Sequence, residues 1–327
     1  MAYAYCADKP GGVEVLDWRD IPTPAPQAGE VVIEQTMVGL NFIDVYMTTG
    51  VYPFPESGPQ IPGGEAAGRI IAVGDGVEDF KIGDRVAYST PNGAYREERV
   101  LPASKIVHLP DGVGDDVAAA MMLKGMTVEY LLNRSFKVKP ESKVLFHAAA
   151  GGVGLIAGQW LKSMGVEAIG TVGSAEKVAQ AKAAGYSHVI NYSDTDFTEA
   201  VAEITSGKGV DVVYDSVGQD TYPHSLKCLK PFGLFVSFGQ SSGVIKNFMM
   251  GDLAGGGSLY AQRPTLFSYI STPESLAEVA GNMFKMIEDG HINVNINQRY
   301  ALKDVPQAFD DLTNRRTTGA SVFETGR

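Results

Sequence analysis

Short runs of alternating apolar and polar residues, separated by Gly and Pro, fill the first third of the chain. Between residues 30 and 110 four such runs read EVVIEQTMVG, GRIIAVGDGV, GDRVAY and AYREERVLP. Strands at this spacing, with turn residues between them, favour an irregular antiparallel barrel. We therefore expect a β-rich domain at the start of the chain.

From residue 143 the pattern changes to buried strands that alternate with amphipathic helices. A first strand over 143–148 precedes a helix that ends near Gly165. A second helix is capped by Ser174 and ends near Gly185. Further strands read EAIGTVG, SHVIN, VDVVYD and GLFVSFG, and further helices are predicted near 195–205 and 220–229. This alternation indicates an α/β domain with a parallel sheet and helices on both faces.

The last part of the chain is too short for a third domain. After the strand SLYAQ it contains helical patterns at about 273–289 and 303–315 and a last strand at 320–323. We expect this part to return to the first domain. The predicted division is a discontinuous first domain over 1–123 and 265–327 and a second domain over 124–264.

Composition limits the possible functions. The 327 residues are 44% hydrophobic, carry a net charge of -11 and include only two cysteines. Two cysteines make no disulfide framework, so we expect a reducing, cytoplasmic location. The acidic charge disfavours nucleic acid as a partner. The longest apolar run, Val117 to Leu123, is far below the ~20 residues of a membrane span, so no membrane association is expected.

The turn after the first buried strand reads AAGGVG, close to the dinucleotide pattern G-x-G-x-x-G but with Ala149 at the first glycine. Gly151 would let the backbone approach a pyrophosphate, and Gly154 would let the helix pack closely on its strand. Gly152 and Val153 begin the helix, whose unpaired N–H groups attract anions. The alternative is a plain strand-to-helix turn, but its place in a βαβ series favours a dinucleotide site.

The tip of the next strand indicates which dinucleotide binds. Gly173 and Ser174 stand there without the acidic residue that NAD proteins place on the ribose 2′-hydroxyl. Ser174, Lys177 and Tyr192 instead offer a cation and hydroxyls that suit a 2′-phosphate. We predict NADPH, although Glu176 keeps NAD open and a helix cap would also account for Ser174.

Open parallel sheets bind ligands beyond the carboxyl ends of their strands. The residues that follow the fourth and fifth predicted strands are therefore predicted cofactor contacts; they are Ser216, Val217, Phe238, Gly239, Gln240 and Ser241.

Seven blocks of the sequence together resemble one known family. They are VGLNFIDVYMTTGVYP, LKGMTVEYLL, VLFHAAAGGVGLIAGQW, VINYS, VVYDSVG, VSFGQSSG and SLYAQRP, and KIGDRV lies in the barrel region. They resemble the medium-chain dehydrogenase/reductase superfamily and, within it, the zinc-independent quinone oxidoreductases, a group that includes zeta-crystallin. The resemblance implies a GroES-like barrel as catalytic domain and a Rossmann doubly wound sheet as dinucleotide-binding domain.

The resemblance also concerns metal. Zinc alcohol dehydrogenases of the superfamily bind zinc through a Cys followed by Asp and through a Gly-His-Glu, whereas this chain has NFID at 41–44 and GGE at 63–65. The histidines lack paired ligand spacing and are interpreted as ordinary core or surface residues; they are His108, His147, His188, His224 and His291. We predict no metal. Without a Lewis acid the acceptor must already be electrophilic, as a quinone is.

Family positions suggest the residues around the reacting ring. The resemblance places Asn41, Phe42, Ile43 and Tyr46 beside the nicotinamide and puts Tyr46 and Tyr52 at the acceptor as the predicted catalytic residues. A phenol stacks on a quinone and donates its O–H to a developing oxyanion. Asn41 would alternatively satisfy backbone groups, and tyrosines often only fill cores.

Further cofactor contacts are implied by the same resemblance. Thr127 and Tyr130 match positions that approach the cofactor, although with Lys124 they also form one face of an amphipathic helix. Arg263 matches an arginine near cofactor and acceptor. Arg315 matches one near the adenosine, but Arg316 follows it directly, so which of the two reaches inward stays open. No Ser-His-Asp arrangement is evident along the chain.

These observations predict an NADPH-dependent quinone reductase that transfers hydride to a small quinone without metal. Two alternatives stay open: reduction of the activated double bond of an enone or enal, and NADPH binding without catalysis. By resemblance we expect a homodimer formed through the SLYAQ strand, which would lie at a sheet edge.

Overall fold

The computed structural model describes residues 2–51, 58–314 and 316–327, and its backbone divides into two compact units. Unit 1 contains the described residues up to Met126, with Ile270–Glu288 and Asn293–Arg327. Unit 2 contains Thr127–Tyr269 and Asp289–Ile292. Within the described residues, no helix combines the length and apolar character that a membrane crossing needs.

Strands and helices are numbered here in chain order. The strands are β1 (Tyr3–Cys6), β2 (Asp17–Asp20), β3 (Glu30–Leu40), β4 (Glu65–Val73), β5 (Arg85–Ser89), β6 (Glu98–Pro102), β7 (Ile106–His108), β8 (Val144–Phe146), β9 (Ala168–Val172), β10 (His188–Asn191), β11 (Val210–Asp215), β12 (Leu229–Ser237), β13 (Tyr260–Gln262), β14 (Ile296–Ala301) and β15 (Ala320–Glu324). The helices are α1 (Phe42–Thr48), α2 (Asp115–Tyr130), α3 (Gly152–Ser163), α4 (Ala175–Ala184), α5 (Phe197–Ile204), α6 (His224–Lys227), α7 (Met250–Gly255), α8 (Leu266–Tyr269), α9 (Pro273–Glu288) and α10 (Val305–Thr313).

Unit 1 is built on a seven-stranded sheet in the order β14-β15-β3-β4-β5-β7, with β6 also paired to β3. Its inward-facing side chains, among them Ile33, Tyr88 and Phe323, form a buried core with Phe309 of α10. One pair departs from the expected antiparallel pattern: β14 and β15 are parallel. The reason is their connection, because α10 crosses between them and returns the chain in the same direction.

Unit 2 contains six strands that all pair in parallel, in the order β10-β9-β8-β11-β12-β13. Counted along this unit, the order is 3-2-1-4-5-6, the order of doubly wound dinucleotide-binding sheets. Helices connect successive strands, and β8 and β9 are entirely buried, as strands covered on both faces must be. The order reverses between β8 and β11, so a ligand crevice is expected beyond their carboxyl ends.

Several predicted elements have different limits. The strand expected over 143–148 is only β8, because the chain turns at Ala148, which has φ of 55°. The helix expected near 220–229 is the single turn α6. β12 begins before the predicted GLFVSFG and ends at Ser237, where the next two amides bend back to the Asp215 carbonyl. The sequence pattern does not predict α7, α8 or β14, because short or polar segments carry little apolar periodicity.

Candidate active site

The glycine turn joins β8 to α3 at the carboxyl edge of the unit 2 sheet. Gly151 has extended backbone and is the N-cap of α3, which begins at Gly152. A Cβ on Gly154 would lie 2.4 Å from the Ala148 carbonyl oxygen and 2.7 Å from that of Ala149, so only glycine allows this approach. The first amides of α3, including that of Val153, have no acceptor within the helix. The turn therefore forms a cradle whose exposed N–H groups suit a phosphate.

The predicted adenosine residues come together at the end of β9. A Cβ on Gly173 would lie 2.6 Å from the Tyr192 hydroxyl, so the tyrosine ring covers this glycine closely. Ser174 is the N-cap of α4, as expected, but its side chain makes no capping hydrogen bond. Lys177 is exposed in the first turn of α4, and so is Glu176. Within the described residues, this corner carries the Lys177 cation and the hydroxyls of Ser174 and Tyr192, and the Ser193 hydroxyl donates to the Gly173 carbonyl at 2.8 Å.

Asp215, which the sequence analysis did not single out, organises the loops after β11 and β12. Its Oδ1 accepts hydrogen bonds from Val217 N at 2.8 Å and Gly218 N at 3.0 Å. Its carbonyl oxygen accepts from Phe238 N at 2.8 Å and Gly239 N at 3.3 Å. The two loops predicted to contact the cofactor are therefore fixed by one buried residue. An Asp that ends an apolar strand before a Ser-Val-Gly turn is the signal that could have identified it.

The same edge of the sheet includes Arg263, which follows β13. Its Nη1 donates to the Ser237 carbonyl at 2.7 Å, and Nη2 lies 3.4 Å from Gln240 Oε1. Ser216 lies at the same edge, and its carbonyl oxygen accepts a hydrogen bond from Ser241 N at 3.1 Å. A cavity of about 370 Å³ adjoins them, lined by Phe235, Ser237, Gly239, Gln240, Val244, Ile245, Phe248, Ala261, Gln262 and Arg263.

Thr127 and Tyr130 lie in the part of α2 that belongs to unit 2, and both are buried. The Tyr130 ring stacks on Tyr269 with centroids 4.5 Å apart. Burial raises the pKa of the Tyr130 hydroxyl well above its ordinary value, although Arg263 opposes the shift. Tyr130 therefore stays protonated at neutral pH and presents an uncharged hydroxyl.

In unit 1, Asn41 precedes α1 and is buried against Glu65. Asn41 Nδ2 donates to Glu65 Oε1 at 2.7 Å. The other carboxylate oxygen, Oε2, accepts from Leu123 N at 2.6 Å, and Lys124 Nζ lies 3.5 Å from Oε1. Burial raises the pKa of Glu65, while the Lys124 charge opposes it. The Asn41 amide nitrogen is thus engaged inside the protein, and its orientation is set by Glu65.

Asp44 is a second buried carboxylate, one turn into α1. Its Oδ2 accepts from Asn41 N at 2.8 Å and from the Tyr95 hydroxyl at 2.7 Å. Its Oδ1 has no hydrogen-bond partner among the described residues and faces Gly64, whose added Cβ would lie 3.6 Å away. Burial raises the pKa of Asp44 to about 7, with Glu65 adding to the shift and the hydrogen bonds opposing it.

Of the other predicted site residues in unit 1, Phe42 is 41% exposed and packs edge to face on Tyr46, with ring centroids 5.2 Å apart. Ile43 is half-buried. Tyr52 and Arg315 lie outside the described residues. Arg316 is engaged at the end of α10, where its Nε donates to Asp311 Oδ1 at 2.8 Å and Nη2 contacts Asp310.

Comparison with known proteins gives these two units a family. Residues 27–111 match the model of the alcohol dehydrogenase GroES-like domain, and residues 152–279 match that of the zinc-binding dehydrogenases. A quinone oxidoreductase of Pseudomonas aeruginosa is 50% identical over 314 residues, 96% of each chain. A 2-haloacrylate reductase of a Burkholderia species is 40% identical over 99% of each chain. The crystal structure of Escherichia coli quinone oxidoreductase complexed with NADPH has a TM-score of 0.95 at 46% identity, covering 98% of this chain and 99% of that chain.

The fold and these relatives define a medium-chain dehydrogenase/reductase, and the chain belongs to the quinone oxidoreductase family of that superfamily. The predicted family and fold class, a GroES-like domain with a Rossmann sheet, are confirmed.

The second family is named for zinc, and the residues around Asn41 and Glu65 do not fit that ion. Asn41 brings an amide and Gly64 no side chain where zinc enzymes have Cys and His. Asp44 and Glu65 accept hydrogen bonds from protein donors. Within residues 2–51, 58–314 and 316–327, no group of three or more His, Cys, Asp or Glu side chains lies close enough to hold a metal ion.

Proposed function

We propose that the protein is an NADPH-dependent quinone reductase that transfers hydride to a small quinone without metal. The observation that carries the proposal is the glycine cradle at the start of α3, on the binding edge of a sheet with dinucleotide-binding strand order. The Escherichia coli relative complexed with NADPH supports the choice of cofactor. Full-length similarity to quinone oxidoreductases supports the choice of acceptor.

The preference for NADPH over NADH rests on the corner at the end of β9. The Ser174 side chain makes no capping hydrogen bond, and Lys177 is exposed. Both would bind the 2′-phosphate, together with the Tyr192 hydroxyl. A phosphate dianion gains most from charge-assisted hydrogen bonds. A ribose hydroxyl would instead need an acceptor at Gly173 or Ser174, and neither supplies a carboxylate.

The loops of unit 2 would hold the rest of the cofactor. Gly151, Gly152 and Val153 would present amides to the pyrophosphate. The loops fixed by Asp215 would hold the nicotinamide end, with Ser216, Val217, Phe238, Gly239, Gln240 and Ser241 as contacts. Thr127, Tyr130 and Arg263 complete the proposed set in unit 2, and Arg315, which lies outside the described residues, is kept as a proposed contact for the adenosine end.

When bound, NADPH would supply a hydride from its nicotinamide ring. Quinone reduction needs one hydride and one proton to give the hydroquinone. Tyr46 and Tyr52 would donate hydrogen bonds to the quinone oxygens and deliver that proton, to be replaced from solvent. Asn41, Phe42 and Ile43 would position the reacting rings, and Asn41 is suited to this because Glu65 fixes its amide. A quinone needs no stronger electrophilic help, since reduction makes its ring aromatic.

Reduction of an activated carbon-carbon double bond is the second candidate. The similarity to a 2-haloacrylate reductase over 99% of the chain supports this second candidate. NADPH binding without turnover is the third.

We also propose that the protein is a cytoplasmic homodimer that binds no nucleic acid. The strand β13 ends the unit 2 sheet, and Tyr260 within it is 62% exposed, as an edge available for pairing would be. The functional division we propose is a catalytic domain over 1–123 and 265–327 and a cofactor domain over 124–264. Sedimentation at micromolar concentration should give the mass of two chains, and a monomer would contradict the dimer.

An acceptor panel tests the function. NADPH oxidation is measured with 1,4-benzoquinone and with a 2-alkenal, and each is repeated with NADH. We expect the quinone and NADPH to give the highest kcat/KM. Tyr46→Phe should lower kcat about a hundredfold, the low end of what proton-transfer catalysis contributes. Tyr3→Phe, on the stacked Tyr3–Trp18 pair of unit 1, is the control. Faster turnover of the alkenal would favour the second candidate, and bound but unoxidised NADPH the third.

A further inference from the structure

A chain of hydrogen bonds joins the carboxyl ends of three neighbouring strands inside unit 2. His147, just after β8, has Nδ1 2.8 Å from Thr171 Oγ1 in β9. Its Nε2 lies 3.0 Å from Ser225 Oγ in α6. Ser225 Oγ lies 3.1 Å from Asp215 Oδ2 at the end of β11. All four residues are completely buried.

The positions of the protons follow from the number of donors. Ser225 has one hydroxyl proton, and both Asp215 Oδ2 and the Thr221 carbonyl are acceptors for it at 3.1 Å. The completely buried Thr171 hydroxyl has His147 Nδ1 as its one hydrogen-bond partner among the described residues, so its proton goes to that nitrogen. The ring proton of neutral His147 then lies on Nε2 and is donated to Ser225 Oγ. Every polar atom of the ring then has one partner.

The ring is kept neutral by its surroundings. Burial lowers the pKa of His147, against the opposing charge of Asp215. Both nitrogens are used by hydroxyl groups, and Asp215 touches Ser225 rather than the ring. The three residues of a Ser-His-Asp set are thus together, which the sequence does not reveal, but they are in the wrong order and too buried for a nucleophile.

Two members of this hydrogen-bond chain, Asp215 and His147, adjoin the two loops proposed to hold the cofactor. Asp215 Oδ2 accepts from Thr221 Oγ1 at 2.6 Å and from Ser225, while Oδ1 holds the amides of the loop after β11. His147 directly precedes Ala148, whose carbonyl accepts from Gly151 N at 2.8 Å in the glycine turn. A buried, fully paired connection of this kind fixes the backbone at both ends.

We propose that His147, held as its Nε2–H tautomer, is a positioning residue for the cofactor: through Thr171, Ser225 and Asp215 it keeps the glycine turn and the loop after β11 in one mutual arrangement. This inference rests on the proposed NADPH binding. His147 lies beneath both loops and acts through them, and the expected result of breaking the chain is weaker binding of NADPH with little change in the chemical step.

The tautomer is tested by nitrogen-15 NMR on the full chain with labelled histidine. The signals of His147 are assigned by their loss in His147→Gln. We expect the His147 signals to be those of a neutral ring with its proton on Nε2. They should stay so from about pH 5 to 8, the range in which ordinary histidines titrate. A proton on Nδ1, or a ring that titrates in this range, would overturn the proposal.

The positioning role is tested with two substitutions that each remove one hydroxyl from the chain, Thr171→Val and Ser225→Ala. Matched controls are Thr205→Val and Ser142→Ala. They remove buried hydroxyls of unit 2 whose hydrogen bonds, in the part of the chain that the structure describes, go to backbone atoms before β11 and β8. NADPH binding is measured by fluorescence titration of folded protein. We expect the Kd for NADPH to rise about fivefold in Thr171→Val and in Ser225→Ala, which is the cost of one lost hydrogen bond. In the two controls it should rise less than about twofold.

A double variant separates positioning from general destabilisation. Because both substitutions break the same chain, Thr171→Val with Ser225→Ala should raise Kd by less than the product of the single effects. KM for NADPH should follow Kd while kcat with 1,4-benzoquinone stays within about twofold. Folded variants that bind like the controls, or a double effect equal to the product, would overturn the positioning role. A wild-type protein that binds no NADPH would instead overturn the proposed function.

Discussion

Asn41 donates from Nδ2 to Oε1 of Glu65 over 2.7 Å, and both side chains are buried. This hydrogen bond joins the residue that follows β3 to the first residue of β4. Glu65 also accepts from Leu123 N and lies 3.5 Å from Lys124 Nζ. One carboxylate therefore accepts from three donors that belong to two segments of unit 1, the residue before α1 and the helix α2.

Removing that carboxylate should be costly. Glu65→Ala removes the acceptor of the buried Asn41 and Leu123 donors and the counter-charge of Lys124, whose Nζ keeps the Leu40 carbonyl at 3.3 Å. We expect a loss of about 3–5 kcal/mol of unfolding free energy. Glu78→Ala, an exposed residue of the same unit, should change it by less than about 0.5 kcal/mol. Urea unfolding measures the unfolding free energy of both variants and of the wild type. A Glu65→Ala protein as stable as the control would contradict the assigned role.

Asp44 predicts a pH dependence of stability. Its pKa is raised from 3.8 to about 7 by burial, so the folded protein holds a proton there that the unfolded chain has already released. Stability from this group is complete below the unfolded pKa and is lost as pH rises toward the folded pKa. Asp44→Asn removes the ionisation and keeps an oxygen for the Tyr95 hydroxyl.

The comparison is made by urea unfolding at several pH values. From about pH 5 to about pH 7 the wild type should lose about 2 kcal/mol of unfolding free energy relative to Asp44→Asn, since a group titrating in one state contributes at most about 1.4 kcal/mol per pH unit. Parallel curves for the two proteins would show that Asp44 is ionised in the folded state over this range.

The close approach of α3 to the turn after β8 depends on Gly154. Gly154→Ala places a methyl group 2.4 Å from the Ala148 carbonyl, and we expect about 1–3 kcal/mol of destabilisation together with weaker NADPH binding. Gly281→Ala is the control, since it lies inside α9 with nothing within 4 Å of the added carbon. That substitution should stabilise by up to about 1 kcal/mol. Equal effects of both would contradict the packing argument.

Lys177 should distinguish the two nicotinamide cofactors. Lys177→Ala is expected to raise Kd for NADPH about fivefold, the scale of an exposed ion pair, and to leave NADH binding nearly unchanged. Lys182→Ala removes an exposed cation from the last turn of the same helix and should change neither. Fluorescence titration measures all four values. Equal weakening of both cofactors by Lys177→Ala would remove this lysine from the 2′-phosphate site.

Much of unit 2 could be predicted from sequence because its signals are local. Apolar runs between helical patterns identify β8 to β12, and Ser174 and Gly185 bound α4 as expected. The short α7 and α8 escaped prediction, since too few residues repeat to give a period. The parallel partner β14 also escaped, because its INQRYA sequence is half polar.

The candidate site was less accessible to sequence reasoning. Glycines and strand-end residues are recognisable from their neighbours in the chain. Long-range pairs are not: Asn41 with Glu65, and His147 with Ser225, depend on which strands become adjacent. From the sequence alone His147 is predicted to be an ordinary core or surface residue, and its connection to Asp215 depends on the order of the strands in the sheet.

The most direct test of hydride transfer without metal uses NADPH with deuterium at one or the other of its two C4 positions. Oxidation by 1,4-benzoquinone is followed with a metal chelator present, and the product NADP⁺ is weighed by mass spectrometry. We predict undiminished turnover, with deuterium lost from one C4 position and retained from the other, because the protein holds the ring in one orientation. Loss of turnover with the chelator, or equal loss of deuterium from both positions, would contradict the account.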